Sequence, residues 1–331
     1  MKLLYFGLWL GCVVSPTARS QQASPRVALI GFTHRSPRDS AALFAKVENR
    51  LTTSLSSDPR VLLVDESIVR PALSGLGYGG SINMSRDEAR RVGSAIGCDF
   101  FITGKLEVFT RSERKSESHE EAFAGVMIVD GRTGELAVFD FISEKGATRD
   151  VALSAVAKAL GERVTGYIDR LIQIRAGGRV PASTAPATSG ATAADLIEDI
   201  PDEDSPRAAG FTPPQFLSRV KPGYTSEAGL ADITATVEVM VVFRSNGEVG
   251  GIEITRWAGF GLDESAAAAI RQLKYTPAMR DGNPINVRAM IRYNFRRVSE
   301  PSQQPELPAP KPPDKPERDL RELWKPTYRR P

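Results

Sequence analysis

The histidines and cysteines set the first limits on the chemistry this sequence can support. The 331 residues include only two histidines, His34 and His119, and two cysteines, Cys12 and Cys98. Two cysteines cannot build a four-cysteine zinc site or a disulfide framework, and two separated histidines argue against histidine-based catalysis or metal binding. We therefore predict no metal site, no cofactor and no catalytic residue.

One glycine-rich stretch has the spacing of a dinucleotide-binding loop. Gly75, Gly77 and Gly80 match the G-x-G-x-x-G pattern. Such a loop should leave a strand directly and open a helix, so that the helix N-terminus meets the pyrophosphate. Here the preceding predicted strand ends near Val64, and further residues separate Gly80 from the next predicted helix. We interpret the stretch as a surface loop.

Carboxylates are the remaining catalytic candidates. The sequence contains no nucleophile elbow, no phosphate loop with lysine, no His-Glu-x-x-His and no Cys-x-x-Cys motif. Glu120–Glu121 lies in a charged segment and Asp263–Glu264 at a predicted helix start, where solvation or capping explains them. A carboxylate pair from distant positions, as in glycoside hydrolases, stays open as an alternative. We predict that the protein is not an enzyme.

The first 20 residues indicate export. A positive start at Lys2, an apolar run of about 12 residues and small residues before Ser20 are typical of a cleavable signal peptide. The run is shorter than the ~20 residues that span a bilayer. Trp9 to Cys12 resembles a lipobox, so lipidation at Cys12 is a competing route. We predict a periplasmic location, with outer-membrane association left open.

Composition then divides the rest of the chain. Residues 176–212 are rich in small and acidic residues, and residues 297–331 are rich in proline. The predicted layout is an α+β protein of two domains, with this order: 1–20 signal peptide, 21–175 first domain, 176–212 flexible acidic linker, 213–296 second domain, 297–331 disordered tail. The formal net charge of +3 is not concentrated in one block, so nucleic-acid binding is not expected.

The first domain combines strand and helix periodicities. Strands are predicted at 26–32, 61–64, 100–109, 122–129 and 135–142, and helices at 41–55, 86–96 and 152–175. This order predicts a mixed sheet with packed helices. The stretches 26–32, 88–105 and 129–135 resemble the envelope superfamily of CsgG, LpoB and the amino-terminal domain of TolB. That resemblance implies a domain that binds proteins or assembles, without enzymatic activity.

The second domain has the order strand, strand, helix, strand. Ile233–Phe243 alternates with period two, and Asn246–Gly247 predicts a type I′ turn before a strand at 249–257. Asp263 is expected to cap a helix over 264–273, and a strand follows at 286–296. These features predict a ββαβ domain.

This domain is similar to the TonB carboxy-terminal domain. The matching pieces are Tyr224 with Glu227–Ala228, and residues 237–249, 261–267, 273–278, 281–285 and 293–295. The resemblance implies that an extended segment of an outer-membrane transporter pairs with the exposed edge of the last strand, Ile285–Phe295. It implies these partner-binding residues: Tyr224, Ile285, Val287, Arg288, Ala289, Met290, Ile291, Arg292 and Tyr293.

Three arginines, Arg288, Arg292 and Arg296, share one face of that strand. They form either a solvated face or a surface for an acidic partner, which includes the acidic linker of this protein. We therefore predict a non-catalytic envelope protein that binds a protein partner by strand addition and is linked to TonB-type transport. The alternative is an assembly or structural factor acting through the first domain. A homo-oligomer is also left open, and membrane contact is expected only through a lipid anchor or a partner.

Overall fold

A computed structural model describes residues 24–35, 41–111, 118–176, 196–202 and 204–297. All of these residues belong to one compact unit, Met1–Arg297. Cys12, the predicted signal peptide and all but the first residue of the predicted tail lie outside the described residues. None of the described helices is long and apolar enough to cross a membrane.

The first half of the chain forms a five-stranded mixed sheet with helices packed on it. Its elements are β1 (Arg26–Thr33), α1 (Ala41–Ser56), β2 (Leu62–Leu63), α2 (Glu66–Gly75), α3 (Arg86–Ile96), β3 (Phe100–Arg111), β4 (His119–Asp130), β5 (Leu136–Gly146) and α4 (Arg149–Ala176). The strand order is β2-β1-β3-β4-β5. β1 runs parallel to β2 and β3, whereas the β3-β4 and β4-β5 pairs are antiparallel. The predicted fold class is confirmed for this half.

Local sequence signals explain most of these elements. The apolar residues of α1 recur at helical spacing and are buried, from Phe44 to Leu55. The predicted capping box of α3 is present, because Ser85 accepts from the Glu88 N–H and Glu88 accepts from the Ser85 N–H. Cys98 is buried, and burial raises the pKa of its thiol to about 12, as expected of a small core residue.

Helix α2 is absent from the sequence prediction. Its position decides whether the glycine-rich stretch can form a dinucleotide-binding loop. The helix carries Pro71 in its interior, which weakens the helical signal, and it ends at Gly75. Gly75 is therefore the last residue of a helix, and Gly77 and Gly80 follow that helix rather than a strand. No strand aims this loop at the start of a helix, so it lacks the geometry of a dinucleotide site.

The second half is β-rich. Its elements are β6 (Ile197–Asp199), a 3-10 turn (Pro206–Ala208), β7 (Phe211–Thr212), β8 (Gln215–Ser218), α5 (Ser226–Leu230), β9 (Ala235–Phe243), β10 (Val249–Arg256), α6 (Leu262–Arg271), β11 (Lys274–Thr276), β12 (Ala278–Arg280) and β13 (Asn283–Phe295). The larger sheet has the order β10-β9-β13-β12-β7, with β6 paired to β13, and β8 pairs with β11. The predicted ββαβ order corresponds to β9, β10, α6 and β13.

Two local predictions in this half are wrong. At Asn246–Gly247 only Gly247 has a positive φ, of 83°, so the turn is a three-residue loop with a left-handed glycine rather than type I′. Asp263 lies inside α6 instead of capping it, since the N-cap position is Gly261. Both Asp263 oxygens accept backbone N–H groups, from Ala258 (2.9 Å) and Gly259 (2.8 Å).

The predicted flexible linker also differs from the structure in its second part. Within residues 196–212 the chain forms β6, the 3-10 turn and β7. β7 pairs with β12, and β6 pairs with β13. Small and acidic residues carry little strand propensity, so these short strands depend on partners that are distant in sequence.

The two halves share one hydrophobic core. Phe260, which is fully buried, packs its ring against Phe139 (4.9 Å between centroids) and Phe141 (6.3 Å) of β5. The same ring sits over Gly125 of β4, where a β-carbon would lie 2.5 Å from Phe260 Cζ. The second half is therefore packed on β4 and β5 of the first sheet.

Polar contacts reinforce this packing. The Asn83 amide donates to the carbonyls of Thr236 (2.9 Å) and Trp257 (2.7 Å) and accepts from the Thr236 N–H (3.0 Å). The buried indole of Trp257 donates to the Gly134 carbonyl at 3.2 Å. Arg256 forms an ion pair with Glu88 at 3.0 Å. These bonds fix β10 and the residues after it against the α3 end of the first sheet.

Candidate strand-addition site

The candidate site is the outer edge of β13, the edge that faces away from β9. A two-residue turn, Asp281–Gly282, joins β12 to β13, and both residues have positive φ values of 50° and 81°. This is the geometry of a type I′ turn, whose flanking residues Arg280 and Asn283 form a hydrogen-bonded pair. Further along the strand, Asn294 lies opposite Thr236 of β9, whose N–H and C=O bond to the Asn83 amide instead of to β13. Because backbone groups alternate along a strand, the N–H and C=O groups of even-numbered residues from Arg288 to Asn294 face the outer edge.

The same parity governs the side chains. Val287 and Phe295 are buried, and Ala289, Ile291 and Tyr293 are half-buried on the core side. The even-numbered residues from Arg288 to Asn294 are exposed on the other face, with Met290 at 49%. This alternation agrees with the period-two prediction for the strand. The residues with outward backbone groups are thus the even-numbered ones, whose side chains are exposed.

Short strands pair with the first part of β13. Residues 283–285, which include Ile285, pair with β12, and residues 286–288 pair with β6 in parallel on the outer edge. β9 occupies the opposite edge from Val287 to Phe295. Among the described residues, no strand pairs with the outer edge from Ala289 to Phe295. A row of backbone donors and acceptors is therefore available there.

The arginine face does not act as one charged patch. Arg288 donates to both carboxylate oxygens of Asp199 in β6, at 2.9 and 3.2 Å. Arg292 pairs with Glu238 of β9 at 2.8 Å, and Arg296 is exposed. Of the two predicted roles of this face, contact with the acidic linker holds for Arg288. Arg292 instead forms an ion pair within the sheet.

Tyr224 has a place in the loop around α5. Its hydroxyl donates to the carbonyls of Ala228 (3.0 Å) and Ile233 (2.7 Å), and burial raises its pKa. These bonds close the segment that leads into β9. Burial also raises the pKa of Tyr293, which lies on the edge itself. The structure thus brings residues 285–293 together on one strand and gives Tyr224 a bonding role within its own loop.

Two features of the site escaped the sequence prediction. The strand Ile197–Asp199 pairs with β13, and Arg280 of β12 donates to Glu198 of that strand at 2.6 Å. The signal in the sequence is charge complementarity, because an acidic run precedes a strand that carries arginines at every fourth residue. Composition alone cannot assign the register of such a pairing.

A cavity of about 500 Å³ lies between the two halves, with Trp257, Leu171 and Ile174 in its walls. Five carboxylates line it, namely Asp130, Glu135, Glu253, Asp263 and Glu264. Arg175 pairs with the first (2.8 Å), Arg86 pairs with the next two, and backbone N–H groups hold Asp263.

These partners tie four of the five carboxylates to arginines or to backbone. Such an arrangement stabilises the contact between the halves instead of presenting a free acid–base pair. In the described part of the chain, no group of three or more His, Cys, Asp or Glu side chains is placed to hold a metal ion.

Comparison with known proteins supports the resemblance seen in the sequence. Residues 220–296 match the family model described as Gram-negative bacterial TonB protein C-terminal. This match confirms the TonB-like domain, whose family is in general non-enzymatic. A comparison of the sequence with curated proteins gives no significant match.

Three solved structures resemble part of this chain. The hypothetical protein CT253 from Chlamydia trachomatis is 15% identical, with 44% of this chain and 98% of that chain covered and a TM-score of 0.35. The C-terminal domain of Pseudomonas aeruginosa TonB is 18% identical, covering 26% and 89%, with a TM-score of 0.24. The C-terminal domain of LpoB from Salmonella enterica is 12% identical, covering 38% and 86%, with a TM-score of 0.26. No functional conclusion follows from likenesses of this size.

Proposed function

We propose that this protein is a non-catalytic protein of the bacterial cell envelope that recruits an extended segment of a partner protein to the outer edge of β13. The observation that carries the proposal is the unpaired edge from Ala289 to Phe295, within a domain that matches the TonB C-terminal family. The partner class is a segment of an outer-membrane transporter, which would link the protein to TonB-type transport across the envelope.

Two physical features favour strand addition at this edge. Outward N–H and C=O groups at 290, 292 and 294 can each pair with an incoming strand, and every such bond contributes about 0.5–1.5 kcal/mol net. The side chains of Ala289, Ile291 and Tyr293 face the core but stay half-exposed, so an added strand would also bury apolar surface.

The test is recovery of partners from solubilised envelope with the full chain as bait. Met290→Pro and Arg292→Pro each remove one outward N–H and leave the backbone bonds to β9 intact, since proline is tolerated where its missing donor faced solvent. Met290→Ala is the matched control, because it shortens an exposed side chain next to the edge without removing a backbone donor.

We expect native chain and Met290→Ala to recover outer-membrane transporters, and the two proline variants to lose them. Unfolding midpoints within a few degrees of native show that each variant is folded. Recovery that is unchanged by both prolines would exclude strand addition at this edge.

The second candidate function is assembly through the first half. β5 is the other long edge strand, with 11 residues and β4 as its neighbour in the sheet. Envelope proteins recovered equally by native chain and proline variants would favour this candidate.

A further inference from the structure

β6 occupies part of the edge that the proposed function requires. Its residues Ile197, Glu198 and Asp199 pair in parallel with Asn286, Val287 and Arg288. Val287 and Arg288 also pair with β9, so β6 must lie on the outer edge. The chain therefore places an extended segment of its own where an external strand would continue along β13.

Side chains give this pairing its register. Asp199 receives two hydrogen bonds from the guanidinium of Arg288, a bidentate geometry that fixes orientation as well as distance. Glu198 receives a bond from Arg280, whose other nitrogen donates to the Arg207 carbonyl at 2.6 Å. Two consecutive acidic residues thus meet arginines on two neighbouring strands.

The interactions that keep β6 on the edge of β13 are nevertheless weak. The strand has three residues, Ile197 is 52% exposed, and the Asp199 and Arg288 side chains are 72% and 50% exposed. Exposed ion pairs of this kind contribute little, and salt screens them. What favours the bound state is the short connection to β7, which is anchored on β12 and keeps β6 at an effective concentration on the order of mM.

We propose that β6 is an internal ligand of the β13 edge, which caps the edge and is displaced by an external extended segment that carries acidic residues. The proposal that β6 caps the edge depends on the proposed function only for the identity of the external partner. Pairing of residues 286–288 with an acidic strand is a property of this chain alone. An incoming segment that releases β6 gains three more positions of β13 and the two arginines.

A peptide with the sequence of residues 196–201, labelled with a dye, tests the cap in trans. It is titrated against the native full chain and against a full chain in which Ile197→Gly, Glu198→Ser and Asp199→Gly remove the internal strand. A second chain, Asp199→Lys, opposes Arg288 by charge and keeps the rest of the segment. A control peptide carries lysine in place of both acidic residues.

We expect both altered chains to bind the acidic peptide at least fivefold more tightly than the native chain, and to bind the lysine peptide at least tenfold more weakly than the acidic one. The difference between native and altered chains should shrink in high salt. Equal binding by native and altered chains, or no binding by any chain, would overturn the cap. The Trp257 fluorescence of each chain, measured with Trp9→Phe and Trp324→Phe, verifies that the fold is kept.

The outcome of this peptide experiment is independent of the outcome of the test of the proposed function. A peptide exchange that behaves as expected, together with no recovery of envelope partners, leaves the cap in place and rejects the proposed partner. Recovery of partners that depends on the N–H groups of Met290 and Arg292, without any peptide exchange, keeps strand addition and rejects the cap.

Discussion

Gly125→Ala gives the sharpest test of how the two halves of the molecule fit together. A β-carbon at this position would lie 2.5 Å from Cζ and 2.6 Å from Cε1 of Phe260. The ring cannot withdraw freely, because it is fully buried and packs on Phe139 and Phe141. The added methyl group therefore overpacks the shared core.

The magnitude follows from two opposing effects. Inserting a methyl group into a filled core costs about 1–3 kcal/mol. Replacing glycine also restricts the unfolded chain, which offsets roughly 0.4–1 kcal/mol of that cost. We expect a net loss of about 1–2 kcal/mol in the free energy of unfolding.

Gly166→Ala is the matched control. Gly166 lies within α4 and is exposed, and a β-carbon added to it would have no neighbouring atom within 4 Å. The same chemical change should therefore stabilise the protein, by about 0.5–1 kcal/mol for a glycine inside a helix. Opposite signs for one substitution type separate packing from chain entropy.

The assay is urea unfolding followed by Trp257 fluorescence, in a chain with Trp9→Phe and Trp324→Phe. A further variant combines Gly125→Ala with Phe260→Leu, whose smaller side chain makes room for the methyl group. The double variant should lose less stability than the sum of the two single variants, which is the sign of direct contact. If Gly125→Ala is neutral or stabilising, or if the two changes are additive, Phe260 is not seated on β4 as described.

Two further predictions concern Asp263 and Tyr224. Burial raises the pKa of Asp263 from its usual 3.8 to about 6, although the Ala258 and Gly259 N–H groups favour the charged form. The folded protein thus retains a proton that the unfolded chain releases, so this contribution to stability is complete below about pH 4 and lost as the pH rises through about 6, by roughly 2–3 kcal/mol. Urea unfolding across that range should show the decline in native protein and not in Asp263→Asn; equal slopes would contradict it. Tyr224→Phe should cost about 1–2 kcal/mol in thermal unfolding, because two carbonyls lose their donor, and leave partner recovery unchanged. Loss of recovery by this folded variant would place Tyr224 at the partner surface.

The elements that sequence could predict are those whose signal is local. The capping box at Ser85 and Glu88 and the period-two alternation of β9 and β13 each depend on residues a few positions apart. Helix α2 was missed because Pro71 interrupts its pattern, and β6 because a three-residue acidic strand has no propensity of its own. Such a strand forms only where distant arginines and an open edge receive it.

The site was predictable in part for the same reason. The strand at 285–295 and its arginine face follow from alternation, whereas the orientation of its backbone is shown by the bonds of Thr236 to Asn83, which is distant in sequence. Asp263 carries the sequence signature of a helix cap, but the left-handed Gly259 and Gly261 bring the chain around so that its carboxylate is buried. Contact of Phe260 with Gly125 joins residues more than 130 positions apart, which no local pattern reports.

The shared core changes what recruitment at β13 would accomplish. β10, at one end of the larger sheet, is fixed to the first half by the Arg256–Glu88 ion pair and by the Trp257 N–H, which donates to the Met84 carbonyl. β9 joins β10 directly to β13. A segment bound at the outer edge would therefore be held by a body that includes the first sheet, not by a small domain on a free tether. A force applied to that segment would be transmitted to Phe260 and its packing on Gly125. The strength of the contact between the halves would therefore limit how firmly a partner is retained.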